Sequence, residues 1–298
     1  MRLHRAGAIS RKKGRNRFSY FNESLQTAAQ KRLTLASELR DALTANQFQV
    51  YYQPIIELST GDIHKAEALI RWMHPDRGTI SPAEFIPLAE ETGLIMDIGF
   101  WVFQQAVQEL ERWKKMFNPQ FEISVNRSPV EFLAAPGGKH QTFLQYLNEN
   151  KQSVQGIIFE ITEGLLLDSR DEVMDMILKI RGAGIDLALD DFGTGYSSLS
   201  YLRRFDIDYL KIDKSFVDNI ATNADSLAVC EAIIVMAHKL GMKVIAEGVE
   251  THEQLNVLTD AGCDFGQGYL FSRPIPAVDF EALLRLREPL QQAAKEVA

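Results

Sequence analysis

The spacing of apolar and polar positions changes period many times along the chain. Leu33, Leu35, Ala36, Leu39, Ala42 and Leu43 fall near helical spacing and predict a helix from Leu33. After Asn46 the run from Phe48 to Gln53 reads as a strand, which Pro54 is expected to stop. A turn at Thr60-Gly61-Asp62 leads into a second strand, Ile63 to Ile70. Beyond the turn His74 to Gly78, the pattern predicts a short helix over 83–91 and a long one over about 96–116. From there strands and helices alternate. Strands are predicted over 121–126, 157–162, 185–190, 209–212, 244–246 and 264–269. The stretch up to Asn150 reads as mostly helical, broken at Pro136-Gly137-Gly138. Helices are predicted over 171–181, 197–203, 226–240, 252–261 and from Ala277 to about Leu290.

Counted from Phe48 there are eight strands alternating with helices. Such alternation implies a mainly parallel sheet. Eight units in this length predict an α/β fold, a closed (β/α)8 TIM-like barrel with its active site at the C-terminal strand ends. An open doubly wound sheet is the alternative, but no Gly-x-Gly-x-x-Gly follows the first strand. Residues 1–32 read as a basic linker, 33–285 as the barrel domain and 286–298 as a helical tail.

Charge sharpens this division. The net charge is −8, yet residues 1–32 alone carry +8, which leaves −16 on the remainder. A body this acidic does not bind a nucleic-acid polymer by simple electrostatics. An anionic substrate would need bound cations to reverse the local field. Cys230 and Cys263 have neither metal nor redox spacing, and no secretion signal is visible, so the expected compartment is the cytoplasm. No apolar run approaches the ~18 residues of a membrane span, although a parent protein could carry an anchor upstream.

Each predicted strand ends in a polar side chain: Gln53, Glu67, Asn126, Glu160, Asp190 with Asp191, Lys211, Glu247 and Gln267. In a barrel these ends share one face. Carboxylates and amides without Cys or His are hard oxygen donors, suited to Mg²⁺, Mn²⁺ or Ca²⁺ rather than zinc. Five acids are too many for one octahedral Mg²⁺ that keeps waters, and two ions bridged by a carboxylate fit better. Asp190 is the natural bridge, with Asp191 in reach of the second ion. Glu163 falls in the loop beyond its strand and reads as a loop-bracing residue. Arg71, just past the second strand, suits a phosphate but is equally a surface arginine. Singly, these residues have ordinary alternatives: Asp190-Asp191 as a helix cap, Glu67 as a buried ion-pair partner, Asn126 as a turn residue, Lys211 as a surface lysine. Asp191-Phe192-Gly193 also spells the kinase magnesium signature, but none of the accompanying kinase motifs is present.

These residues fall into motifs. Gln53-Pro54-Ile55, Glu67-Ala68-Leu69 with Arg71-Trp72, Ser124 to Ser128, Glu160 to Glu163, Asp190 to Leu199, Lys211-Ile212-Asp213, Glu247 to Glu250 and Gln267-Gly268-Tyr269 resemble the signatures of EAL domains, the cyclic-di-GMP phosphodiesterases. Arg127 stands where that family more often has an apolar residue. Gly14 to Phe18 resembles the end of a GGDEF domain, so residues 1–32 read equally as the remnant of one.

The resemblance implies hydrolysis of cyclic di-GMP to linear pGpG by a water activated between two ions, Mg²⁺ or Mn²⁺, with Ca²⁺ expected to bind without turnover. It implies Glu67, Asn126, Glu160 and Asp190 around one ion, and Asp190, Asp191 and Glu247 around the other. Lys211 would orient the water, with Glu247 also a candidate base. Glu250 and Gln267 would support the shell. Gln53, Leu69 and Arg71 would contact the dinucleotide, and Glu163 would brace the loop Phe192 to Leu199. The resemblance further implies a homodimer and upstream GGDEF or sensory domains. The alternative is a catalytically silent cyclic-di-GMP receptor acting through a partner protein.

Overall fold

The computed structural model describes residues 23–133, 139–150, 154–166, 170–193 and 205–286. Gly14 to Phe18, Pro136 to Gly138, the helix expected over 197–203 and the tail past residue 286 lie outside the described residues. The first helix spans Glu23–Ala42, starting ten residues before the apolar spacing predicts. Its early turns, rich in Gln, Thr and Lys, carry no apolar stripe to announce them. Leu35, Leu39 and Ala42 bury the other end.

Two strands, β1 (Phe48–Glu57) and β2 (Ile63–His74), form an antiparallel hairpin in register from Phe48 opposite Trp72 to Ile55 opposite Lys65. Pro54 does not stop β1. On the strand's other edge, pairing occurs at Tyr51–Tyr52 and again at Ile56–Glu57, and the proline falls between the two. A residue with no N–H to give is accommodated there. Gln53 and Glu67 therefore lie inside their strands, directly opposite one another, rather than at strand ends.

Beyond β3 (Gly78–Ile80), which extends the hairpin, come the helices Pro82–Thr92 and Ile95–Met116. Parallel strands follow: β4 (Glu122–Asn126), β5 (Ile157–Thr162), β6 (Asp186–Phe192), β7 (Tyr209–Ile212), β8 (Lys243–Ala246) and β9 (Phe265–Gly266). The order β1-β2-β4-β5-β6-β7-β8-β9 closes because β9 pairs with β1, giving an eight-stranded barrel. It is mixed, since β1 runs against both neighbours. The two-residue β10 (Ile275–Pro276) leans on β1 from outside, and a helix over 277–286 follows.

The core has two layers. Between strands and helices lies the large one, where Trp113 stacks on Phe280 at 4.7 Å between ring centroids and meets the edge of Tyr52 at 4.8 Å. Inside the barrel lies a small one: Ile55, Ile158, Ala188, Tyr209, Ile245 and Phe265, each from a different strand.

Candidate active site

The inner layer dictates where the functional side chains go. Residues two apart on a strand face the same side. Two residues beyond Ile158 is Glu160; beyond Ala188, Asp190; beyond Tyr209, Lys211; beyond Ile245, Glu247; beyond Phe265, Gln267. On β1, which runs the other way, Gln53 stands two before Ile55. On β2 and β4 the inward Lys65 and Ser124 are followed by Glu67 and Asn126. Every sequence-predicted strand-end residue except Asp191 thus points into one mouth of the barrel, above a plug of apolar side chains.

At the centre of that mouth is Lys211, whose side chain is 1% exposed. Its Nζ lies 2.6 Å from Glu247 Oε1, 2.7 Å from Glu160 Oε2, 3.3 Å from Asp190 Oδ1 and 3.8 Å from Glu67 Oε2. Burial alone would lower its proton affinity, but these carboxylates more than reverse that and hold the ammonium well above its usual range. The acids respond oppositely. Burial, then the neighbouring Glu67, raises the Glu160 carboxyl well above normal. Burial also pushes Glu247 up to about 7 against the opposing pull of Lys211. Asp191 is raised by burial and by Asp190 beside it.

Glu67 is held from two sides. Asn126 Nδ2 donates to one oxygen at 2.6 Å and Gln267 Nε2 to the other at 2.5 Å. Gln267 Nε2 also donates to Gln53 Oε1 at 3.0 Å, and Gln53 Nε2 in turn donates to the Ser272 carbonyl at 3.0 Å. Asp191 takes a left-handed backbone with φ of 55°, uncommon for a non-glycine residue. That turn brings its carboxylate round, so that oxygens of Asp190, Asp191 and Glu247 lie within 4.8 Å of one another. Glu160 Oε1 is buried with no hydrogen-bond partner among the described residues. Hard oxygen donors, an unmet buried carboxylate oxygen and a close acidic triad fit hard divalent cations.

The mouth opens into a cavity of about 330 Å³ reached by Leu69, Arg71, Glu250 and Tyr269. Leu69 and Arg71 also line a second, largely apolar cavity of about 310 Å³ walled by Pro82, Ile86 and Val102. Glu250 sits at the rim, where Lys214 Nζ is 2.6 Å from its carboxylate. Sequence reasoning missed Lys214. It gave no role to the exposed Tyr269, beneath the Arg273 guanidinium at 4.1 Å, and passed over Tyr51, 5.6 Å from that of Arg71. Only Tyr269 carried a signal, standing two positions past Gln267.

A model of the EAL domain matches residues 36–274. The chain belongs to the EAL-domain family. It is 38% identical over 286 residues to the cyclic di-GMP phosphodiesterase NbdA of Pseudomonas aeruginosa, covering 95% of this chain and 35% of that protein. It is 38% identical over 264 residues to the bifunctional diguanylate cyclase/cyclic di-GMP phosphodiesterase MucR of the same organism, covering 89% of this chain and 38% of that one. This EAL domain thus spans little more than a third of the length of these relatives. The solved MucR phosphodiesterase in complex with c-di-GMP superposes with a TM-score of 0.76 at 37% identity, over 83% of this chain and 99% of that one. Within this EAL domain Glu163 opens the short helix Glu163–Leu166. Both its carboxylate oxygens are buried without a hydrogen-bond partner among the described residues. Past Gly193, the loop it is expected to brace lies outside those residues.

Proposed function

We propose that this EAL domain hydrolyses cyclic di-GMP to linear pGpG. One observation carries the reading: an acid ring around a buried lysine, opening onto two cavities that share Leu69 and Arg71. A small dianionic dinucleotide fits such a site. One cavity presents oxygen donors and Arg71 to a phosphodiester, and the apolar one offers a dry wall to a base. The names carried by NbdA and MucR agree with this chemistry.

Glu67, Asn126, Glu160 and Asp190 would hold one divalent ion, and Asp190, Asp191 and Glu247 a second, Mg²⁺ or Mn²⁺. Such a pair supplies Lewis acidity at phosphorus and lowers the pKa of water. The chain's own residues do the rest. Lys211 keeps its proton and offers a fixed positive charge to the phosphoryl oxygens as negative charge grows on them. Glu247, whose carboxylate lies 2.6 Å from Lys211 Nζ, is a candidate to accept a proton from water. Gln267 and Gln53 hold Glu67 in place, while Glu250 fixes Lys214 at the rim. Arg71 engages a phosphate, Leu69 and Gln53 line its approach, and Glu163 braces the loop after Asp191.

The same proposal makes the domain a cytoplasmic homodimer within a longer protein bearing upstream GGDEF or sensory domains. Val229 and Val235 stand exposed on the helix Ala224–Lys239, an apolar face suited to a second copy. Both cysteines are buried and free, in keeping with a reducing compartment. Among the described residues no helix is long and apolar enough to cross a membrane.

The test is turnover of cyclic di-GMP by the whole chain in Mg²⁺, Mn²⁺, Ca²⁺ or EDTA, following pGpG. Hydrolysis in Mg²⁺ or Mn²⁺, none in Ca²⁺ or EDTA, and loss of turnover in Glu67→Ala are expected. Tight binding without product in any metal would overturn the proposal and make the domain a silent receptor.

A further inference from the structure

The residue after Asn126 is Arg127, whose side chain is 5% exposed and ion-paired at 2.5 Å with Glu131, 3% exposed. The pair lies in the wall of the apolar cavity. Charges so deeply buried are costly, and replacing such a pair by apolar residues is often neutral or stabilising. Its presence therefore calls for a role besides stability.

Its contacts indicate one. Arg127 donates through its backbone N–H to the Glu160 carbonyl at 2.9 Å, tying β4 to β5 between two site residues. Its guanidinium donates to the Gly99 carbonyl on the helix Ile95–Met116 at 3.0 Å. The same group lies 5.0 Å and 4.9 Å from the ring centroids of Phe143 and Phe159. Glu131 accepts the Ser128 N–H at 3.0 Å, and Ser128 Oγ donates to Glu90 at 2.7 Å. Gly99 completes the fit: a Cβ there would collide with the Glu131 carboxylate. Glycine inside a helix costs about 1 kcal/mol relative to alanine, so the helix gives up stability to admit the pair. The segment carrying Asn126 is thereby fastened to β5, to the helix Ile95–Met116 and, through Ser128 and Glu90, to the helix Pro82–Thr92.

We propose that the Arg127–Glu131 ion pair is a positioning device that fixes Asn126 in the acid ring and, with the same atoms, the wall of the apolar cavity. This rests on reading Asn126 as a metal ligand. The Arg127 guanidinium hydrogen-bonds to Gly99 and ion-pairs with Glu131, neither of them a residue of the acid ring. Arg127 would act through Asn126, whose Nδ2 is committed to Glu67, which leaves Oδ1 as the atom it could offer to an ion. Groups that orient metal ligands typically change metal affinity ~10–100-fold when removed. Because one pair sets both features, its loss should weaken metal and dinucleotide together.

The experiment uses the whole chain and three variants: Arg127→Met, Glu131→Gln and the double Arg127→Met/Glu131→Leu. Each is measured by thermal melting in EDTA, by calorimetric titration with Mn²⁺ alone, and by KM and kcat for cyclic di-GMP. Arg127→Met removes the cation beside a buried carboxylate and should lower Tm by about 10 °C. The apolar double variant should melt near the wild type, yet bind Mn²⁺ about tenfold more weakly and show a raised KM. A purely structural role requires Tm and Mn²⁺ affinity to recover together. A double variant that binds Mn²⁺ like the wild type, or that loses the fold, overturns the proposal. Asn126→Ala separates the underlying assumption. If that change leaves Mn²⁺ affinity intact, the ligand reading fails, whatever the ion pair does.

Discussion

Replacing Lys211 by methionine removes the one ammonium among the acids while keeping most of the side chain's bulk. With ε near 20, unit charges at the observed 2.6–3.8 Å separations attract by roughly 4–6 kcal/mol each. Burying the ammonium offsets much of that sum, and breaking a buried pair costs about 3–5 kcal/mol net. We expect Lys211→Met to lose about that much stability in EDTA at pH 8, read as the midpoint of a urea titration followed by circular dichroism. At pH 5 the loss should shrink, because Glu247 and Glu160, already inclined to hold protons, neutralise the ring themselves. Mn²⁺ should raise the variant's midpoint more than the wild type's, since it answers charge that the lysine no longer answers. Turnover should vanish throughout. A variant as stable as the wild type in EDTA at pH 8, or a loss that ignores pH, would refute the account of Lys211 as the ring's internal cation.

Three further outcomes are expected. Glu247 holds its proton to about pH 7 in the folded state against an ordinary value of 4.5, so the metal-free fold binds more protons than the unfolded chain between those values. Its stability should therefore be greatest below about pH 4.5 as far as this group is concerned, and fall by a few kcal/mol as pH rises through 7; melts in EDTA from pH 5 to 8 check this, and a rising Tm sinks it. Arg71→Lys keeps the charge but loses the planar fork, and steady-state kinetics should show KM raised about tenfold with a smaller change in kcat. Gly268→Ala would drive a Cβ into the Val249 backbone; thermal melting should show a loss of at least about 1–3 kcal/mol.

Much of the site was legible because strand alternation is a rigid rule. Once Ile158, Ala188, Tyr209 and Ile245 are inward, Glu160, Asp190, Lys211 and Glu247 must be too. The antiparallel β1 was legible in principle. The turn at Thr60-Gly61-Asp62 leaves five residues between β1 and β2, and a parallel crossover needs about a dozen. Counting eight alternating units hid that signal. Pro54 misled because its tolerance depends on which stretch of edge a neighbouring strand leaves bare, a tertiary fact. Lys214 and Arg273 escaped for a similar reason. A cation on a loop or a helix end looks the same in sequence whether it faces bulk water or the rim of a cavity. Arg127 is the converse: in sequence it is only a departure from an apolar position of the family pattern, and its burial appears when Phe143, Phe159 and Gly99 are folded around it.

The pairing of β1 with β9 involves only two residue pairs, Ile56 with Gly266 and Glu57 with Phe265. It joins segments about two hundred residues apart in sequence, and Gln53, Glu67 and Gln267 meet beside it. Long-range pairings are made late, because loop closure must be met before contact rewards it. The acid ring is thus left open on one side until the last strand arrives, and a nascent or truncated chain lacking residues 265–276 has no complete site. Because β9 is held by only two residue pairs on either side, fraying of this strand would also be the least costly way to open the barrel. Amide exchange should accordingly be fastest among the strands at Ile56 and Gly266, where any partner gripping the closing helix over 277–286 would gain leverage over the site without touching an acid.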